Sequence, residues 1–217
     1  SMVRQSAVER SPEVALAAPL LVEALGYVAH PPIRNSGTVG GSLAHADPSA
    51  ELPAVALALD AELLTAGPRG TRTIPAAEFF RGPFTTALEP GEILTEVRIP
   101  RREGVGGYAF VEFARTHGNF ALVGVAAVIE MEKDIVTEAS ITLSGVASTP
   151  VRAAAAERAL AGTSADAATI EVAVDAAADE LSPAGDLHGS TATRTGIARN
   201  CLRRGIQLAL SRAQDRR

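Results

Sequence analysis

The chain carries a single cysteine, Cys201, in 217 residues. No internal disulfide can form, and no cysteine-ligated metal or iron–sulfur centre can be built from this chain alone. Aromatic residues make up only 4% and the formal net charge is −5. The basic stripe and the stacking platforms of a nucleic-acid surface are therefore missing. Hydrophobic residues reach 47%, yet Pro53, Asp60 and Glu62 break the richest stretch, residues 52–64. No run approaches the roughly 18 to 20 uninterrupted apolar residues of a membrane span. The N-terminus lacks the charged-then-apolar pattern of a signal peptide, and Ser1-Met2 reads as a residue left by tag removal ahead of a start methionine. These absences predict a cytoplasmic protein whose partners are small molecules or other proteins.

The length suffices for two small lobes. Ser11-Pro12-Glu13 supplies an N-cap, an N1 proline and a first-turn acid, and the apolar run behind it predicts one largely buried helix over residues 14–25, stopping near Gly26. Glycine density over residues 31–42 argues against helix and strand and for a shaped loop. Residues 49–60 regain helical character, with Ser49 or Asp47 as cap and Leu52, Ala56 and Leu59 on one face. Residues 61–65, 67–73 and 93–99 read as strands and turns, and 101–107 as a linker. Three alternating apolar stretches, 108–114, 121–131 and 135–146, predict an antiparallel meander. Three helices follow: one capped by Thr149-Pro150 and running to Leu160, one striped by Ile170, Val174, Ala177 and Leu181, and one striped by Ala198, Cys201, Leu202 and Ile206. The expected fold is α+β, with an α/β half-lobe over residues 3–104 and, over 105–214, a three-stranded antiparallel sheet covered by three helices.

The segment richest in chemical signal is Gly37-Thr38-Val39-Gly40-Gly41-Ser42. Adjacent glycines let a backbone approach a ligand and adopt left-handed torsions, so successive N–H groups can converge on one anion, with the Thr38 and Ser42 hydroxyls as further donors. A diphosphate suits such a cradle. The spacing matches neither the Walker loop nor the dinucleotide glycine motif, so taken alone it fits a structural turn as well as an anion site. The expected geometry is an accessible loop with at least one glycine at positive φ and amides pointing into one cleft.

The longer run from Ile33 through Pro53 resembles the second FAD-binding signature of the medium subunit of molybdenum hydroxylases, the xanthine and carbon monoxide dehydrogenase type. The resemblance continues through Glu78-Phe79-Phe80, Gly91-Glu92-Ile93-Leu94, residues 110–115 and 118–126, and Asp186-Leu187-His188-Gly189-Ser190, so it covers essentially the whole chain. It implies FAD as cofactor, with Thr38, Gly40, Gly41 and Ser42 at the diphosphate and Glu51 beside the sugar portion. It also implies that Ile33, Ala44 and His45 line the same cleft and that Ile93 or Leu94 packs near the isoalloxazine ring. The implied partners are a molybdenum-cofactor subunit and an iron–sulfur subunit. The family carries an earlier lobe that grips the diphosphate from the opposite side, and this sequence begins after it. Ser36, Thr116, Asn119 and Thr193 also depart from the residues usual at those positions. The chain on its own is therefore expected to hold FAD weakly or not at all until that lobe is added, in cis or from a further chain.

Other candidates are weaker. His30, His45, His117 and His188 fall at no metal-ligand spacing. His45 with Asp47 and Glu51 makes an acid–base group, and His45 and Glu51 are the candidates for a non-redox cyclisation or isomerisation in a cleft that has lost FAD. Asp47 and Glu51 are better explained as acids that favour the dipole of a helix N-terminus. Ser42 lacks a nucleophile elbow and is better placed as an anion donor. Cys201, on an apolar stripe, is expected to be a buried small hydrophobe with Leu202 and Ile206 beside it.

Overall fold

The structure, a computed structural model, describes residues 1–102, 106–116, 118–187 and 189–216. It opens with six short helices: α1 (Gln5–Glu9), α2 (Pro12–Ala17), α3 (Pro19–Leu25), α4 (Pro31–Ser36), α5 (Val39–His45) and α6 (Glu51–Ala58). A three-stranded antiparallel sheet follows, formed by β1 (Glu62–Gly67), β2 (Gly70–Pro75) and β5 (Ile93–Arg98) in the order β2-β1-β5. Between β2 and β5 lie α7 (Ala76–Phe79) and the small ribbon of β3 (Phe80–Gly82) with β4 (Thr85–Thr86). The second half is an antiparallel sheet in sequential order, β6 (Gly106–Phe113), β7 (Val123–Glu132), β8 (Ile135–Ser144) and β9 (Val151–Arg152). It is followed by α8 (Ala154–Leu160), α9 (Ala167–Asp179) and α10 (Thr191–Asp215).

Four expectations are corrected. The single helix over 14–25 is two, because Pro19 cannot donate to the helical ladder and holds Ala18 out of helical geometry, at φ −143° and ψ 62°. Ser11 does cap α2, accepting the Val14 N–H at 3.2 Å. Residues 31–42 form not a loop but two helices: α4 starts on Pro31 at N1, and α5 is capped by Thr38, whose Oγ1 accepts the Gly41 N–H at 3.0 Å. Neither Ser49 nor Asp47 caps α6; the Asp47 carboxylate accepts the Ser49 N–H at 2.8 Å and closes the turn before it. Thr149-Pro150 leads into a fourth strand, β9, and α8 starts only at Ala154, so the second sheet has four strands.

Side-chain alternation on the second sheet serves two cores. Val123, Val125, Ala127, Ile129 and Met131 of β7 pack under α8, α9 and α10, where Cys201, Leu202 and Ile206 are buried as expected. Ala126 and Val128, with Phe110 of β6, face the first half and join Leu20, Leu52, Leu63 and Phe79. Every residue of α6 is buried, as required of a helix enclosed by both halves. Two β8 hydroxyls reach its carbonyls: Ser140 Oγ donates to Ala58 O at 2.6 Å and Thr142 Oγ1 to Ala54 O at 2.7 Å. Arg102 and Arg152 both pair with Asp60 and donate to Ala58 O and Leu57 O, clamping the end of α6.

Candidate functional site

A cavity of about 750 Å³ lies where α4, α5 and the start of α6 meet the β6–β7 connection and the start of α10. The first half contributes Ile33, Ser42, His45, Asp47 and Glu51, and the second contributes Arg115, Asn119, Phe120, Asp186 and Arg194. Four sequence-predicted residues, Ile33, Ser42, His45 and Glu51, are thus brought together. Thr38, Gly40, Gly41, Ala44, Ile93 and Leu94 are not among the lining residues.

Most of that second group gathers at the head of α5, one turn from Ser42, around the N-terminal segment. Val39 N–H donates to Val3 O at 3.1 Å and Gly40 N–H to Ser1 O at 2.9 Å, while Ser1 Oγ donates to Leu94 O at 2.5 Å. The Ser42 N–H is spent on Thr38 O at 3.1 Å. These amides do not converge on the cavity, which corrects the expected loop geometry. Gly37, Gly40 and Gly41 also have no positive φ. The two glycines instead permit close approach: a Cβ on Gly40 would collide with Ser1, and one on Gly41 would stand 2.7 Å from Thr38 Oγ1. Ala44 lies half-buried in the last turn of α5, and Ile93 is exposed beside the segment.

Glu51 is the most deeply buried of the acidic side chains at the cavity, with 5% exposure. Burial pushes its carboxyl up to about 7, an effect its own backbone N–H moderates and the charge of Asp47 reinforces. His45 is exposed, its ring 5.0 Å from that of Phe84. His117 and His188 lie outside the described residues. His30 packs its ring against Gly118 at the rim.

Two cavity residues that sequence reasoning did not single out come from the second half. Arg115 stands exposed at the opening. Arg194, almost wholly buried, donates from Nη1 to Leu122 O at 2.8 Å and Gly145 O at 3.0 Å, and pairs through Nη2 with Asp186 at 2.7 Å. The Gly145 N–H in turn donates to Pro48 O at 2.9 Å, in the turn that leads to Glu51. The guanidinium thereby ties the second-half wall together, and the Gly145 amide ties that wall to the first half. Only the place of Arg194 in the first turn of a helix, after Ser190, hinted at this in the sequence.

Comparison with known proteins bears on this architecture directly. Residues 1–102 match the family model described as the FAD binding domain in molybdopterin dehydrogenase, and residues 108–209 match the CO dehydrogenase flavoprotein C-terminal domain. The 6-hydroxypseudooxynicotine dehydrogenase complex subunit alpha of Paenarthrobacter nicotinovorans is 38% identical over 99% of this chain and 73% of its own length. The chain belongs to the family of FAD-binding medium subunits of molybdenum hydroxylases. The carbon monoxide dehydrogenase medium chain of Afipia carboxidovorans is 36% identical over 99% of this chain and 75% of its own. A solved structure of carbon monoxide dehydrogenase from Hydrogenophaga pseudoflava, 37% identical, superimposes with a TM-score of 0.95 over 97% of this chain and 74% of that one. The helix-rich first half and the sheet backed by three helices are thus this family's architecture, although this sequence spans about three quarters of each relative.

Proposed function

We propose that the cavity between the two halves holds FAD and that the chain serves as the electron-relaying flavin module of a molybdenum hydroxylase. The family membership carries the reading, and the cavity supports it: 750 Å³ falls within the roughly 300 to 1,000 Å³ usual for cofactor sites. Its donors and acceptors fit the parts of a flavin dinucleotide. The Ser42 hydroxyl and the Arg115 guanidinium suit phosphate oxygens, the Glu51 carboxyl suits sugar hydroxyls, and Ile33 and Phe120 offer apolar surface. Bound there, FAD supplies the capacity to take up and pass on electrons, while the protein binds, orients and sets the local field. Thr38, Gly40 and Gly41 belong to this reading as the residues that shape the head of α5, Ala44 as part of that helix, and Ile93 and Leu94 as the neighbouring strand. The division into modules of residues 3–104 and 105–214 is part of the same proposal; its boundary falls on residues 103–105, outside those described.

The implied partners are a molybdenum-cofactor subunit and an iron–sulfur subunit, in keeping with relatives named as medium chains or complex subunits. Among the described residues no helix is long and apolar enough to cross a membrane, which is consistent with assembly in the cytoplasm. The relatives named above are dehydrogenase subunits, and no observation favours the non-redox alternative at His45 and Glu51. Reconstitution of this chain with its partner subunits tests the relay. Flavin absorbance should bleach when substrate is added anaerobically and return with an external acceptor; a complex that oxidises substrate without any flavin signal would contradict it.

A further inference from the structure

One row of the second sheet is polar where its neighbours are apolar. Glu112 of β6 lies opposite Gly124 of β7, and Gly124 opposite Ser144 of β8, so the three form a single cross-strand row. Phe110 and Ala126, two residues along on the same face, belong to the core shared with the first half. Glu112 and Ser144 therefore face the first half as well. On β8, Ser140 and Thr142 each donate to an α6 carbonyl four residues apart, Ala58 and Ala54. Two strand residues advance about 6.6 Å and four helix residues about 6 Å, so the next rung sets Ser144 against the head of α6, where Glu51 stands.

At that rung the hydrogen bonding stops. Ser144 is 1% exposed and its Oγ has no partner, and neither has the buried Oε2 of Glu112. Gly124 lies between them, and a Cβ there would stand 2.6 Å from Ser144 Oγ, so the hydroxyl leans into the space over the glycine. Buried polar atoms in folded proteins are nearly always satisfied. Two carboxyls largely withdrawn from water, with no ion pair to either among the described residues, cannot both ionise cheaply.

We propose that Glu51, Glu112 and Ser144 form a proton-sharing site that reaches from the cavity lining at Glu51 into the wall behind it, in which the two carboxyls hold one proton between them near neutral pH, and that an anionic dinucleotide entering the cavity draws in a second from solvent. Only the second half of this statement rests on the FAD reading. The surrounding charges agree with it. Asp47 adds negative charge on the α6 side, the charge of Glu112 is felt at Tyr27, and Arg204 of α10 is exposed and makes no ion pair with either acid among the described residues. Of the cavity's guanidiniums, Arg194 is committed to Asp186 and two carbonyls, and Arg115 stands at the opening. Burial pushes Glu51 up to about 7; burial and then the charge of Glu51 push Glu112 up to about 8.

The test begins without ligand, on the intact chain with carbon-13-labelled glutamate carboxyls followed by NMR against pH. Two glutamates should titrate well above the ordinary value of about 4.3. Glu112→Gln should remove the higher and leave the Glu51 midpoint shifted, and Ser144→Ala should move the Glu112 midpoint if Glu112→Gln fails to fold. All glutamates titrating in the ordinary range, or a Glu51 midpoint indifferent to both substitutions, would overturn the proposal. FAD is then titrated calorimetrically, at a pH between the two midpoints, in two buffers of different ionisation enthalpy. Net proton uptake by the wild type, abolished in Glu51→Gln, is expected; binding without proton uptake overturns the coupling. If the carboxyls titrate as expected but no FAD binds, the shared proton stands and the cofactor reading fails.

Discussion

Burial rather than ion pairing governs Glu51, and this gives the residue a measurable signature in stability. A carboxyl whose pKa is raised by folding binds more protons in the folded than in the unfolded state. Stability therefore falls as pH rises from the ordinary carboxyl value toward the raised one, and levels off above it. For Glu51, raised to about 7, the window runs from about pH 4.5 to 7. The Glu51→Gln chain should be more stable than wild type at pH 8, by on the order of 2 kcal/mol, with the gap closing toward pH 4.5. Denaturant midpoints at several pH values measure this, and a gap that does not change with pH would contradict it. At this scale the sequence was readable where one element decides the outcome: the stripe of Cys201, Leu202 and Ile206 reports burial by itself, and the thiol is pushed up to about 11 accordingly. Glu112 was not readable. Its importance depends on which face of β6 meets the first half and on a glycine opposite it in another strand.

Among the elements, α5 is where local propensity and tertiary contact disagree most. Two glycines in its first turn cost helix stability, roughly 1 kcal/mol each relative to alanine, which is why the segment read as a loop. The helix forms because Thr38 caps it, Val39 and Leu43 are buried, and the Ser1–Val3 backbone lies against Gly40. Thr38→Ala should cost about 1 kcal/mol through loss of the cap. Gly40→Ala should cost more despite alanine's better propensity, since its methyl would meet Ser1. Thermal melts of the two variants check the order, and a stabilised Gly40→Ala chain would show that the contact with the N-terminal segment is not what the glycine serves. The break at Pro19 was legible in principle, because proline at that position forbids a continuous helix. The β9 strand was not, since its two residues pair only through the register of β8.

For the molecule as a whole, the mixed α and β class and the antiparallel meander after residue 106 were legible, because apolar alternation is strongest there. How the halves meet was not. The Asp60 clamp by Arg102 and Arg152, the hydroxyls of β8 under α6, and the Gly145 amide on Pro48 in the turn before Glu51 all join residues at least 42 positions apart. These contacts shape the cavity, and the cavity rather than an anion-binding loop is what brings Ser42, His45 and Glu51 together. The amides at the head of α5 are engaged with the N-terminal segment, so the phosphates of FAD must depend on side-chain donors here. A charge-assisted hydrogen bond contributes about 1.5 to 3 kcal/mol, so loss of one such donor weakens binding by on the order of 10 to 10². Titration of FAD into the purified chain, followed by quenching of flavin fluorescence and repeated with Arg115→Ala, tests the central claim most directly. The account predicts saturable binding in the micromolar range or weaker, lowered further by the substitution. No saturable binding by the chain, or binding indifferent to Arg115, would contradict the assignment of the cavity to FAD.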